Sequence, residues 1–308
     1  MTELRPGRRW RQLPAALGLL APSGVILGVF VVYPLVKAVL LGKQRCSVDG
    51  LRCRDNGWDQ YLDAFRSVEF HRALGVTAKL ALITVPLGLA LGIGLAVLAH
   101  KQLRGMGVFR SIFSSTVATS VAVASLMWFF LLQPSVGVVA NIGWLGDLFG
   151  VVKQPGLLAD EGTALWSVAM SSVWANLGFT FIIVTAGLQS IPDELHEAAA
   201  IDGASGTRRF WAITLPLLGP SILFVLIVLT TRAFQAYGEV DLLTEGGPRP
   251  SNPTTTLTYL TYGQNSIIRT DPGLQATSAV LLFVVLLALS LVQLWSIGRR
   301  VHYAGAAN

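Results

Sequence analysis

Residues 197–216 read EAAAIDGASGTRRFWAITLP, a short polar segment that runs directly into an apolar one. Three consecutive alanines favour a helix, and Gly203 is positioned to end that helix. Upstream, Ser190 and Asp193 have the spacing of an N-terminal capping box. The pattern predicts a helix of roughly three turns, which is too short and too polar to cross a membrane.

The rest of the chain is strongly apolar. Of its 308 residues, 53% are hydrophobic and 13% are charged, and the mean hydropathy is +0.59, whereas about 25% of residues are charged in an ordinary soluble domain. A helix that crosses a bilayer needs about 20 apolar residues. We predict six transmembrane helices, over residues 13–41, 74–99, 108–133, 164–189, 213–236 and 275–298. The predicted fold class is therefore an all-α polytopic membrane protein.

The first predicted span follows a basic segment, RPGRRWRQ, as the apolar part of a signal peptide does. Its apolar run is longer than the roughly 7–15 residues of a cleaved signal, and no A-x-A site closes it. We expect this span to be retained as the first transmembrane helix.

The distribution of cations predicts the orientation in the membrane. Lys and Arg concentrate in the cytoplasmic loops of membrane proteins. With the N-terminus in the cytoplasm, the segments on that side carry more cations than acids, and the opposite loops carry more acids than cations. The cytoplasmic cations are then Arg5, Arg8, Arg9, Arg11, Lys101, Arg104, Arg110, Arg208, Arg209, Arg299 and Arg300. We predict that both termini are cytoplasmic, and the net charge of +6 then requires no nucleic-acid partner.

The two cysteines, Cys46 and Cys53, both fall in the first external loop of this topology. Between them, Asp49 and Gly50 form a turn signal that would let the two thiols approach as a hairpin. An oxidising outer compartment allows a disulfide. Two free thiols are the alternative.

The complete pattern that begins at Glu197 is E-A-A-x₃-G-x₉-I-x-L-P. It resembles the EAA loop of the inner-membrane permease subunits in binding-protein-dependent ABC importers. The matching residues are Glu197, Ala198, Ala199, Gly203, Ile213, Leu215 and Pro216. With Asp202 and Pro220 beside this pattern, the sequence resembles the carbohydrate and glycerol-phosphate branch of the family. That branch includes the maltose and sn-glycerol-3-phosphate importer permeases. His196 departs from that branch, where an aromatic residue such as Tyr is common.

The resemblance implies a type I ABC importer permease fold, in a single transmembrane domain over residues 1–308 with its core at 74–298. It also implies that the loop at about 190–212 is a coupling helix that docks on a cytoplasmic ATPase. There the alanines would permit close approach, and Glu197 would meet a basic group. The implied partners are an ATPase dimer, a second homologous permease subunit, an extracytoplasmic solute-binding protein and the lipid bilayer. The implied location is the bacterial plasma (inner) membrane.

The chain contains no G-x-x-x-x-G-K-[ST] phosphate loop, so ATP and Mg²⁺ are expected to bind partner subunits. Its four histidines are scattered along the sequence. We therefore expect no metal site, no cofactor and no catalytic residues in this chain. The predicted spans also lack the carboxylates that a proton-driven carrier normally places there. The alternative function is a stand-alone secondary carrier or channel, which would work without an ATPase.

Polar residues in the fourth and fifth predicted spans indicate a solute path. Arg232 lies about 24 Å along the fifth helix from Pro216, and Asn176 lies about 21 Å from Ser190 along the fourth helix. At this common depth the two side chains can line one cavity, with Ser172 one turn above Asn176.

Arg232 favours an anionic solute, a sugar phosphate or a glycerophosphoester, because its guanidinium can bind phosphate bidentately. Lys37 and Lys79 also fall in the outer parts of their spans. Together with Arg232 they would form a cationic outer vestibule. The alternative for all three cations is snorkelling to the outer headgroups.

Overall fold

The computed structural model describes residues 18–47, 53–100, 105–137 and 156–298. Residues 13–17 of the first predicted span lie outside these ranges. So do most of the cations on which the orientation rests, which are Arg5, Arg8, Arg9, Arg11, Lys101, Arg104, Arg299 and Arg300. The cytoplasmic location of the termini stays a prediction.

The described chain is mostly helical. Its helices are α1 (Gly18–Leu41), α2 (Asp59–Arg66), α3 (Val68–His100), α4 (Met106–Ala118), α5 (Val121–Leu132), α6 (Ala164–Gln189), α7 (Asp193–Ile201), α8 (Gly206–Leu217), α9 (Gly219–Phe234), α10 (Gly238–Thr244), α11 (Leu257–Tyr262) and α12 (Pro272–Gly298). Two short strands, β1 (Gln44–Cys46) and β2 (Cys53–Asp55), form an antiparallel hairpin in which Cys46 is opposite Cys53.

By length and composition, four of these helices can each cross a membrane without interruption: α1, α3, α6 and α12. Two further spans are bent pairs, since α4 and α5 meet at 106° and α8 and α9 meet at 67°. Counting each pair as one span gives the six that the hydropathy predicted. The spans predicted at 108–133 and 213–236 are nevertheless broken helices rather than continuous ones.

Both breaks have local causes. At the first, Ser120 adopts an extended conformation and its Oγ accepts a hydrogen bond from the backbone of Val123 (3.2 Å), which starts a new helix. Short hydroxyl side chains favour such caps over helix interiors. At the second, Pro220 has no backbone N–H to continue the preceding helix, and it is tolerated because it stands in the first turn of α9.

Small residues let α6 approach its neighbours closely. A Cβ added at Gly92 of α3 would overlap the side chain of Thr180 on α6. On α6 itself, a Cβ at Gly178 would overlap Thr116 of α4, and one at Gly187 would lie 2.5 Å from Ser221 Oγ of α9. Helix α6 is therefore packed tightly against α3, α4 and α9. It also carries Asn176, and the EAA segment begins just after its end.

Gly92→Ala is expected to lower the free energy of unfolding by about 1–3 kcal/mol, because an added methyl group overpacks the α3–α6 contact. Gly94→Ala on the same helix is the matched control, since nothing lies within 4 Å of a Cβ there and alanine favours the helix. The check is the midpoint of thermal unfolding in detergent for both variants. Equal midpoints for the two would contradict the close packing at Gly92.

The hairpin attaches the first helix to the last. Cys46 and Cys53 are joined as a disulfide. The backbone N–H of Cys46 donates to Asp271 Oδ1 (3.2 Å), and the buried Thr277 Oγ1 donates to the carbonyl of Gly42 (2.8 Å). Helix α1 packs against α12, and no residue of α1 is buried. Tyr61 Oη of α2 also donates to the Val39 carbonyl of α1 (2.9 Å). The attachment of α1 thus depends on these polar contacts and on α12.

Candidate functional site

The EAA segment forms an exposed helical elbow between α6 and α9. Its first helix, α7, ends as predicted in a left-handed turn at Gly203, whose φ is 76°. The N–H of Gly203 donates to the Ala200 carbonyl (3.1 Å), and that of Ala204 donates to the Ala199 carbonyl (2.9 Å). This pair of hydrogen bonds is the Schellman motif, which strongly favours glycine at the left-handed position.

The predicted capping box at the start of α7 is wrong. Ser190 Oγ donates to the carbonyl of Gly187 (2.7 Å), so it completes the end of α6 instead of starting α7. Pro192 occupies the N-cap position of α7 and makes no side-chain cap. The helix has 9 residues, which is about 2.5 turns. Pro192 disfavours a helical conformation at the residue before it, and this shortens α7.

The residues of the EAA pattern and the neighbouring Asp202 lie mostly at the surface. Those exposed are Glu197, Ala198, Asp202, Gly203 and Pro216, while those half-buried are Ala199, Ile213 and Leu215. Ile201, which the pattern does not include, is 88% exposed. Leu195 of α7 and Trp211 of α8 are exposed as well. The elbow therefore presents a surface of small and large apolar residues together with several acids.

The elbow is fixed to the helices that it connects. Ile191 is buried in one apolar cluster with Leu188 at the end of α6 and Leu218 at the start of α9. Arg209 Nη1 of α8 donates to the carbonyl of His196 in α7 (3.3 Å). A force on α7 can therefore pass to both α6 and α9 through packed side chains.

A second site lies beside the break between α4 and α5. A cavity of about 680 Å³ opens there. Its walls are the α4–α5 junction, one face of α6, the end of α9 and the start of α10. Its lining includes the polar or charged residues Ser120, Asn176, Arg232, Gln235 and Glu239.

Asn176 and Arg232 are in direct contact at this cavity. Arg232 Nη1 donates to Asn176 Oδ1 (2.6 Å), and Asn176 Nδ2 donates to the backbone carbonyl of Ser172 (2.7 Å). The guanidinium also stands over the ring of Phe179, 4.7 Å from its centroid, which stabilises a cation. The structure thus brings together the three residues of the predicted path, and it holds the guanidinium at the cavity.

Glu239, in the first turn of α10, is a residue of this site that the sequence analysis missed. It is 8% exposed, and its Oε1 accepts a hydrogen bond from Ser172 Oγ (3.2 Å). Burial raises the pKa of this carboxyl above its ordinary value, although hydrogen bonds from its own backbone and from Ser172 and the charge of Arg232 lower it. The residue was assigned to an external loop because it follows the fifth span, and the pattern does not show that α10 packs against α5 and α6.

The other two cations lie away from the cavity. Lys37 on α1 and Lys79 on α3 are exposed, and neither lines it. The cationic vestibule predicted from three residues is therefore reduced to Arg232. An exposed lysine on a spanning helix can place its ammonium at the headgroups, so the alternative of snorkelling fits both lysines.

Comparison with known proteins identifies the type of chain. A family model described as "binding-protein-dependent transport system inner membrane component" matches residues 68–301. The sn-glycerol-3-phosphate transport system permease protein UgpA of Agrobacterium fabrum is 32% identical over 286 residues, covering 92% of this chain and 95% of the relative. UgpA of Pectobacterium atrosepticum is 30% identical over 305 residues, covering 98% and 100%.

Two solved structures share the fold. One is a bacterial ABC transporter involved in the import of the acidic polysaccharide alginate, with a TM-score of 0.77 and 21% identity over 95% of this chain and 99% of that one. The other is a bacterial alginate ABC transporter in complex with alginate pentasaccharide-bound periplasmic protein, with a TM-score of 0.74 and 20% identity over 94% and 96%. At these identities the likeness concerns the fold alone.

Proposed function

The chain belongs to the family of binding-protein-dependent transport system inner membrane components, and from this premise we propose that it carries a glycerol-phosphate-like solute through the cavity beside Arg232. It is a permease subunit of an ABC importer in the inner membrane. The curated relatives that support this solute class are sn-glycerol-3-phosphate permeases.

The contact between Arg232 and Asn176 at the cavity is the observation that carries the proposal. A volume of about 680 Å³ is within the range of small-molecule sites, which is roughly 300–1,000 Å³. Guanidinium suits the planar, bidentate recognition of phosphate oxygens. A neutral sugar would offer no negative charge to Arg232, so a phosphate ester is the better match.

Coupling to ATP hydrolysis is assigned to the elbow. We propose that α7 docks on one subunit of a cytoplasmic ATPase dimer through Glu197, Ala198 and Ala199. Asp202 and Gly203 would shape the turn, while Ile213, Leu215 and Pro216 would pass the movement into the fifth span. ATP and Mg²⁺ bind that dimer in this scheme, and this chain needs no cofactor.

Two further partners complete the importer that we propose. A second homologous permease subunit closes the other side of the path, and an extracytoplasmic solute-binding protein delivers the solute. Residues 1–308 act as one permease domain, with the core at 74–298. The stand-alone carrier is not favoured, because it gives no role to an exposed elbow that is fixed to α6 and α9.

Purification and reconstitution test the function. A tagged chain purified from the cells in which it naturally occurs is expected to retain an ATPase subunit in detergent. In proteoliposomes with the solute-binding protein, uptake of radiolabelled sn-glycerol 3-phosphate is expected to require ATP on the ATPase side. Uptake that proceeds without an ATPase subunit would favour the carrier and overturn the proposal.

A further inference from the structure

Glu239 faces the transport cavity with unused capacity to accept hydrogen bonds. An ionised carboxylate has about four lone-pair positions. Among the described residues, Ser172 Oγ provides its side-chain hydrogen bond, at Oε1. The side chain is more than nine-tenths buried, yet it lines the same cavity as Arg232.

A purely structural role explains this placement poorly. Burying a carboxylate costs free energy unless donors replace the lost water. Burial raises the pKa of Glu239 above its ordinary value, and the neighbouring donors and Arg232 offset only part of this desolvation. An apolar residue or glutamine would pack α10 against α6 without that cost. The carboxylate therefore lacks donors in a place that a solute can reach.

Arg232, which lines the same cavity, has hydrogen-bond donors to spare. A guanidinium has five N–H donors, and Asn176 Oδ1 accepts from Nη1. The amide of Asn176 is held in one orientation, because its Nδ2 donates to Ser172. The cavity thus has donors at Arg232 and an acceptor at Glu239. Hydrogen bonds through Asn176 and Ser172 connect the two side chains.

We propose that Glu239 is a specificity-determining residue that accepts hydrogen bonds from the hydroxyl groups of the solute while Arg232 binds its phosphate. The proposal rests on the proposed function, because it assumes that this cavity is the solute path. It assigns the solute to phosphate esters of polyols. A phosphate ester without hydroxyls engages only Arg232, and a polyol without phosphate engages only Glu239.

Competition binding tests this assignment on the assembled transporter in nanodiscs, without the solute-binding protein, so that selection by that protein does not enter. Radiolabelled sn-glycerol 3-phosphate is displaced by unlabelled sn-glycerol 3-phosphate or by propyl phosphate, which has the same phosphate and carbon number and no hydroxyl. In the wild type, propyl phosphate is expected to bind roughly 10-fold more weakly, the equivalent of about 1.4 kcal/mol.

In Glu239→Ala this preference is expected to fall below about 3-fold, while propyl phosphate binds no more weakly than before. Glu239→Gln keeps the size of the side chain and is expected to reduce the preference for sn-glycerol 3-phosphate as well. This variant replaces Glu239→Ala in the test if the alanine variant does not fold. An unchanged preference in a folded, ATPase-bound variant overturns the role of Glu239. So does an equal loss of affinity for both ligands, which indicates an effect on Arg232 or on the fold.

Arg232→Ala separates this inference from the function on which it rests. Loss of binding of both phosphate esters is expected. If binding of both persists, the cavity is not the solute path and the proposed route fails. If Arg232→Ala abolishes binding while the Glu239 variants keep the wild-type preference, only the role of Glu239 fails.

Discussion

Arg232→Ala is expected to reduce ATP-dependent uptake of sn-glycerol 3-phosphate by roughly 10- to 150-fold. The change removes the cation that we assign to the phosphate, and hydrogen bonds to charged groups contribute about 1.5–3 kcal/mol. It also leaves Asn176 Oδ1 without its donor. The measurement is the initial rate of uptake into proteoliposomes, with basal ATP hydrolysis and retention of the ATPase subunit recorded for the same preparation.

Lys79→Ala is the matched control for this prediction. It also removes an exposed cation from a spanning helix, but Lys79 does not line the cavity. Its uptake rate is expected to stay within about 2-fold of wild type, as for surface substitutions generally. Arg232→Lys should be intermediate, because lysine keeps the charge and loses the bidentate geometry. Wild-type uptake by Arg232→Ala would remove this residue from the path.

Gly203→Val is expected to uncouple the importer. At a φ of 76°, a non-glycine residue costs about 1–2 kcal/mol, and a β-branched one is particularly unfavourable. The end of α7 must therefore shift, which we expect to lower ATP-driven uptake and retention of the ATPase subunit by roughly 5- to 30-fold. Solute binding at the distant cavity is expected to be unaffected.

Gly206→Val gives a control three residues away. Both glycines are exposed and a Cβ at either meets nothing within 4 Å, but only Gly203 has a positive φ. Gly206→Val is therefore expected to change uptake by less than about 2-fold. Similar losses for the two variants would mean that bulk at the elbow, rather than the turn at Gly203, determines coupling.

The spans could be predicted from the sequence because the requirement for about 20 apolar residues is local. The positions of the bends could not be predicted. Hydropathy is averaged over many residues, so one residue in an extended conformation, such as Ser120, hardly changes it. A signal was present in residues 114–120, SSTVATS, where hydroxyl side chains interrupt the apolar run. At α7, the same kind of local evidence correctly predicted the turn at Gly203 and wrongly assigned Ser190, whose hydroxyl has carbonyls of α6 within reach.

The candidate site could be predicted only in part. The common depth of Asn176 and Arg232 follows from the helical rise, because each lies on a long helix with a recognisable end. The contact between Ser172 and Glu239 joins residues 67 positions apart. It depends on the packing of α10, a short helix in a loop, and no periodicity in the sequence specifies that packing.

The attachment of α1 to α12 has a consequence for biogenesis. The hydrogen bond between Gly42 and Thr277 joins residues 235 positions apart. At about 5–20 residues per second, a ribosome needs on the order of 10–50 s to make that stretch. A newly inserted α1 therefore spends this interval among lipids without α12, whereas Cys46 and Cys53, only 7 positions apart, can pair early. The hairpin can then be ready when the last helix arrives to complete the bundle.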